Sequence, residues 1–254
     1  EEQVHVWITF FRDIESEYLL DNYWSLLSSE ERDKYERLHL ERHRREYLIS
    51  RAVARTVLSG YTGVSPERLQ FTRTEQGRPE LYFGCSRNHG IRFNMSHTTG
   101  LVMVAVARER DIGTDVECNA RQIHFQDIAE RFFAHREIQE LQHLPSDSAK
   151  YRFFEYWTLK ESFLKAKGTG LHIPLDRFGF SISDNNPGQI FFYSGREDED
   201  NKWQFWLFNP AEDYTAAISL LREGYANREL IIKKIIPLQS VQSYDCATIT
   251  SGNP

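Results

Sequence analysis

"WTLKESFLKAKGTGL", residues Trp157–Leu171, carries the pattern on which the reading of the whole chain turns. On an α-helix, Trp157, Glu161 and Lys165 fall on one stripe with Phe154 just upstream. Phe153, Tyr156, Leu159, Phe163 and Leu164 cover the other side, so apolar residues occur nearly all round and a helix packed between layers is predicted. A surface Glu–Lys pair at i,i+4 would be commonplace, worth about 0.2–0.5 kcal/mol. The aromatic neighbours argue instead for partial burial, and buried charges need partners such as a metal ion or a phosphate. Gly168 reads as the helix C-cap.

Composition narrows what those partners are. A chain of 254 residues, 40% hydrophobic and 13% aromatic, can bury a full core over most of its length. Its formal net charge of −6 argues against a general nucleic-acid binder, whose affinity rests on neutralising phosphates. Arg42, Arg44, Arg45, Arg51 and Arg55 nevertheless make one basic segment. Three widely spaced cysteines, Cys85, Cys118 and Cys246, form neither a disulfide framework nor a zinc-ligand pattern. No segment approaches about 18 uncharged apolar residues, and the start of the chain lacks a signal-like pattern. A soluble, cytoplasmic protein with no membrane partner is expected.

Periodicity organises the chain as α+β. "VHVWITF" alternates as a strand; Ser28 to Gly63 reads as helix, capped by Ser28 or Ser29, with a break near His39–His43 and Gly60 and Gly63 at its end. "FTRTEQGRPEL" is a loop or short hairpin turning at Gly77, and "IRFNMSH", "GLVMVAVARE" and "DIGTDVE" are strands. The second half repeats the order loosely: "IHFQDIAERFFAHREIQELQHL" and "SAKYRFFEYWTLKESFLKAK" are helical, while "FGFSIS", "QIFFYSG", "WQFWLFN" and "DYTAAISLLRE" are strand-like. Two similar α/β halves with a site between them are predicted: residues 1–114, residues 115–238, and a polar tail, 239–254, that is poorly ordered.

In "GTDVE", strand alternation puts Asp115 and Glu117 on one face, with Cα atoms about 6.6 Å apart. Both carboxylates can bend toward one ion, with Glu161 as a third ligand, and an all-oxygen set suits Mg²⁺ or Mn²⁺. Acidic residues are also frequent at exposed strand ends, so D-x-E alone decides nothing. Arg44, Arg51 and Arg55 share one helix face without interleaved Glu and could fork onto a phosphate, joined by Arg45 and by Arg78 in the "GRP" turn. Ser96 and His97, adjacent on a strand, point to opposite faces and form no hydrolase dyad; ligand contact or local capping fits them better. No P-loop and no G-x-G-x-x-G occurs.

"FNMSHTTG", "IGTDVE", "AERFFAHRE" and "WTLKESFLKAKGTGL", in that order, resemble the Sfp-type 4′-phosphopantetheinyl transferases, over roughly residues 30–180. The resemblance implies a monomer of two similar subdomains related by a pseudo-twofold axis, with coenzyme A and Mg²⁺ in the cleft between them. The implied reaction moves 4′-phosphopantetheine from coenzyme A to a serine of an acyl or peptidyl carrier protein and releases adenosine 3′,5′-bisphosphate. Residue by residue, Asp115, Glu117 and Glu161 match the metal ligands, and Glu137 matches the general base. Lys165 matches the lysine beside the pyrophosphate. Arg45, Arg51, Arg78, Ser96, His97 and Lys160 are the further coenzyme-contact candidates. Thr114 stands where many relatives carry Ile, and "HRREY" departs from a more basic run. For an acidic carrier, Arg131, Arg136 and Phe132 or Phe133 are the candidate docking residues. Fatty-acid, polyketide and nonribosomal-peptide carriers are not distinguished. A module that binds carrier and coenzyme without catalysis, and a Mg²⁺-dependent phosphotransferase or hydrolase acting on another nucleotide, are the competing readings.

Overall fold

The computed structural model describes residues 3–82, 90–169, 173–183, 188–224 and 226–251. Its chain forms two compact units: one holds Gln3–Glu109 and Leu230–Tyr244, the other Arg110–Glu229 and residues from Asp245 on.

In the first unit, β1 (Gln3–Phe10) buries Val4, Val6 and Ile8, the alternation expected of a strand with one face on the core. Helices α1 (Glu17–Leu26), α2 (Ser29–Glu36) and α3 (Glu41–Thr62) follow. Ser28 caps α2 in a reciprocal box: its hydroxyl accepts the Glu31 N–H at 3.3 Å, and the Glu31 carboxylate accepts the Ser28 N–H at 3.0 Å. The helical break falls at Arg37–Leu40, overlapping the start of the segment expected, and Gly63 closes α3 in the left-handed conformation at φ 69°. The hairpin β2 (Gln70–Arg73) and β3 (Pro79–Tyr82) turns through Gly77, at φ 83°. Strands β4 (Ile91–Thr98) and β5 (Leu101–Arg108) complete the N-terminal part.

The second unit opens with β6 (Ile112–Cys118). Helices α4 (Phe125–Phe132), α5 (His135–His143) and α6 (Ser146–Lys167) come next. Strands β7 (Gly179–Ser183) and β8 (Gln189–Tyr193), the short α7 (Glu197–Asp200), β9 (Trp203–Phe208) and β10 (Tyr214–Leu221) follow. The chain then returns to the first unit as β11 (Glu229–Ile236) and β12 (Ser240–Ser243), before β13 (Thr248–Ser251) joins the second. The first sheet has the order β12-β11-β1-β5-β4, and the second β6-β10-β9-β13-β8-β7. Each unit lays a helix of 22 residues, α3 or α6, against its sheet.

Two expectations need correction. The units divide between Glu109 and Arg110, not inside β6, because β6 takes its ladder from β10, with Asp115 opposite Ala217. The segment 239–254, expected to be poorly ordered, supplies β12 and β13. Its polarity misled because β12 is an exposed edge strand, whereas β13 uses its hydroxyls as ties: Ser251 Oγ accepts the Phe205 N–H at 3.1 Å.

Packing explains why α6 is apolar on nearly every side. Phe163 is boxed by Phe178, Phe192, Trp203 and Phe205, with ring centroids 4.8–6.2 Å away. Phe153, Phe133 and Trp157 form a three-ring cluster, with ring centroids 5.2–6.4 Å apart. In the first unit the buried Arg55 donates to Glu31 at 2.7 Å and to the Pro66 and Leu69 carbonyls. Burial alone would raise the Glu31 carboxyl; Arg51 beside it, with the bonds from Arg55 and Ser28, holds it below the usual range.

A cluster on β1 predicts a pH dependence of stability. The Tyr61 hydroxyl accepts the Trp7 indole N–H at 2.9 Å and lies 2.5 Å from His5 Nδ1, so its own proton is directed at a neutral imidazole. Burial and the charge of Lys233 lower the His5 pKa. The unfolded chain therefore binds the proton more readily, and the stability this group contributes is full above about pH 6.5 and lost as pH falls through the lowered value. The melting temperature should drop on acidification from neutral pH, and His5→Gln should shrink that drop; an unchanged profile would show that another group carries it.

Candidate active site

Strand β6 and helix α6 meet at glycine. A Cβ on Gly113 would lie 2.0 Å from the Ser162 carbonyl oxygen and 2.3 Å from the Ala166 nitrogen, so only glycine lets the helix backbone come this close. Ser162 Oγ and Ser219 Oγ, 2.7 Å apart, tie the same helix face to β10. Alternation then sends Asp115 and Glu117 to the face of β6 on which α6 lies. Glu161 and Lys165 each precede one of the contact residues Ser162 and Ala166, and so sit about 100° round the helix from that contact. Lys165 Nζ donates to Asp115 Oδ1 at 2.6 Å, and Asp115 is only 4% exposed.

Burial raises the carboxyl of Glu161, and the charge of Asp115 raises it further, against a smaller opposing effect of Lys165. Glu117 is raised in the same way, first by burial and then by Asp115, with Arg121 and Lys165 opposing. Three carboxyl groups thus share one field, and the ammonium of Lys165 bears on all of them.

Such hard oxygen donors have the chemistry of a Mg²⁺ or Mn²⁺ site. Among the described residues, however, no three His, Cys, Asp or Glu side chains are gathered tightly enough to hold a metal. Asp115 is turned onto Lys165, and Glu117 Oε2 onto Arg121 Nη1 at 2.6 Å. Arg121 is half exposed, and an ion pair of that kind is worth about 0–1 kcal/mol, little against a divalent cation. Arg121 was not legible in advance, because it lies beyond the strand, where no fixed spacing relates it to Glu117.

Glu137 and Lys160 are somewhere else entirely. Both have no exposed surface, and they pair with each other at 2.9 Å. The expected roles, a base for the carrier serine and a coenzyme contact, require access that neither side chain has. Lys160 Nζ donates its other protons to the Leu175 and Phe178 carbonyls at 2.8 and 2.6 Å.

The remaining candidates belong to the first unit. Arg51 and Arg55 do not present a free fork, since both are held by Glu31, a capture foreshadowed by the Ser28–Glu31 capping box. Arg45 donates to the Ile14 carbonyl. Arg78 reaches the Phe93 carbonyl at 3.5 Å and, with Arg92, lines a cavity of about 90 Å³. On β4, Ser96 is buried and His97 exposed, on opposite faces as expected. A larger, mainly apolar cavity of about 280 Å³ lies between α4, α5 and the start of α6; none of the proposed ligands lines it. No helix of the described residues is long and apolar enough to cross a membrane.

With this geometry in hand, comparison with known proteins gives the class. Residues 111–219 match the model of the 4′-phosphopantetheinyl transferase superfamily, and residues 14–109 match that of "4′-phosphopantetheinyl transferase, N-terminal". The chain belongs to the 4′-phosphopantetheinyl transferase superfamily. It is 33% identical over 88% of its length to the 4′-phosphopantetheinyl transferase HetI of Nostoc, covering 90% of that protein. It is 32% identical to a putative 4′-phosphopantetheinyl transferase of Synechocystis, covering 73% of each chain. The transferase Sfp of Bacillus subtilis is 29% identical over 67% of this chain and 72% of its own. Among solved structures, the holo-[acyl-carrier-protein] synthase of Thermotoga maritima covers 50% of this chain and 69% of its own, at 19% identity and a TM-score of 0.37.

Proposed function

We propose that the chain transfers the 4′-phosphopantetheine of coenzyme A to a serine hydroxyl of an acyl or peptidyl carrier protein, with Asp115, Glu117 and Glu161 holding Mg²⁺. The observation that carries this reading is the placement of the three carboxylates and Lys165 at the junction of β6 and α6, in a member of a family named for the transfer. A bond forms between the serine oxygen and the β-phosphorus, the bridging P–O bond breaks, and adenosine 3′,5′-bisphosphate leaves. When bound, the metal neutralises charge on the phosphate oxygens. Lys165, released from Asp115, places its ammonium beside the leaving phosphate, where it offsets the charge that develops or donates a proton. The proton of the attacking serine hydroxyl passes to water and, in the net reaction, replaces any that Lys165 gives to the leaving phosphate.

Incubation with coenzyme A, Mg²⁺ and a panel of apo carrier proteins, read by intact mass, tests the reading. Attachment of one phosphopantetheine group to a carrier is expected. Hydrolysis of coenzyme A or ATP without carrier would favour the phosphotransferase reading, and binding without either product the inactive module.

Arg131 and Arg136, both exposed, are the proposed contacts for an acidic carrier. The transfer rate should fall as salt rises, and Arg131→Glu/Arg136→Glu should raise KM for the carrier by about tenfold while leaving kcat within about twofold. A KM unmoved by charge reversal would place docking elsewhere.

A further inference from the structure

The Glu137–Lys160 pair is complete in a way that a catalytic base is not. Glu137 Oε1 accepts the Phe180 N–H at 2.9 Å, and Oε2 accepts the Ala134 N–H at 2.9 Å together with Lys160. Lys160 spends its three protons on Glu137 and the two carbonyls. The rings of Phe133 and Phe178 wall the ammonium at 5.4 and 4.7 Å. No face of the pair opens to solvent.

What the pair joins matters more than its enclosure. It clamps the N-terminus of α5, the start of β7, the turn at Leu175–Phe178 and the middle of α6. Looking down α6, Ser162 and Ala166 contact β6, and Ser162 lies about 200° round the helix from Lys160, with Glu161 and Lys165 on the arc between them. A helix held at two points on either side of that arc cannot roll, and a roll is the motion that would carry Glu161 and Lys165 away from Asp115.

We infer that Glu137 and Lys160 are positioning residues whose ion pair fixes the roll of α6 and so aims Glu161 and Lys165 at Asp115, and that Glu137 is not the proton acceptor. The inference rests on the reading of Asp115, Glu117 and Glu161 as metal ligands. Removing one partner leaves a buried charge alone, whereas removing both leaves none, so the two single changes should be worse than the double one.

The test compares Glu137→Gln, Lys160→Met and the double variant with the wild type by melting temperature, Mn²⁺ binding calorimetry and the pH profile of transfer. Each single variant should lower the melting temperature and weaken Mn²⁺ binding by about tenfold or more. The double variant should recover Mn²⁺ affinity to within about threefold and should keep the acid limb of the pH profile. A double variant that binds Mn²⁺ normally, stays about 100-fold slow and loses the acid limb would make Glu137 the base and overturn the inference. Unchanged Mn²⁺ affinity in both single variants would also overturn it. If neither single variant folds, the double variant decides by the same two outcomes. A wild type that binds no Mn²⁺ would instead overturn the metal reading.

Discussion

The Glu161→Gln protein should be at least as stable as the wild type in the absence of metal, and slower in transfer by roughly two orders of magnitude or more at any Mg²⁺ concentration. Both halves follow from the same environment. Glu161 is held where burial and the Asp115 carboxylate oppose its ionisation, so without a cation its charge is a burden on the fold. Gln keeps the shape and removes that burden, and with it the ligand. A carboxyl group whose surroundings oppose its ionisation is one that a bound cation would favour, and loss of function with gain of stability separates such a residue from one that merely packs. Melting curves in EDTA and in Mg²⁺, beside initial rates by mass spectrometry, provide the check. A variant that transfers within a few-fold of wild type would remove Glu161 from the ligand set.

The second large effect is expected at a residue with no functional group. In Gly113→Ala the new methyl carbon would meet two backbone atoms of α6, neither of which can rotate away. The helix must move off the strand, and overpacking of this kind costs about 1–3 kcal/mol, occasionally more. Displacing Glu161 and Lys165 by on the order of 1 Å should cost transfer about 100-fold even at saturating Mg²⁺. Gly60→Ala is the control: nothing lies within 4 Å of the added carbon in α3, and the helix should gain up to about 1 kcal/mol. If Gly113→Ala leaves rate and melting temperature unchanged, the close approach of α6 to β6 is not what aligns the site.

Much of this was readable in the letters. The helical stripe of Trp157–Lys167, the Ser28 cap, the Gly77 turn and the strands at 91–98 and 101–108 are local patterns, and local patterns survive into the fold. What periodicity cannot deliver is environment. Lys160 and Glu161 are neighbours in sequence, yet one is sealed among Phe rings while the other faces Asp115, because 100° of helix separates them. Arg51 and Arg55 share a helix face as expected, but what faces them is Glu31, twenty or more residues upstream on another helix. The unit boundary and the strands after residue 239 were missed for a related reason: strand partners far apart in sequence leave no trace in a local window.

The route of the chain sets an order of assembly. Strand β1 finds its neighbour β11 only after all of the second unit but β13 has been made, and β13 must slip between β8 and β9, closing a ladder whose other members were synthesised some forty to sixty residues earlier. During translation both sheets therefore wait, incomplete and with bare edges, for the same short stretch past residue 229. A fragment ending at Glu109 would lack β11 and β12, so the first half should not be obtainable as an independently folding piece, whereas a fragment from Arg110 on keeps all six strands of its sheet; nascent chains stalled before that stretch should depend on chaperones.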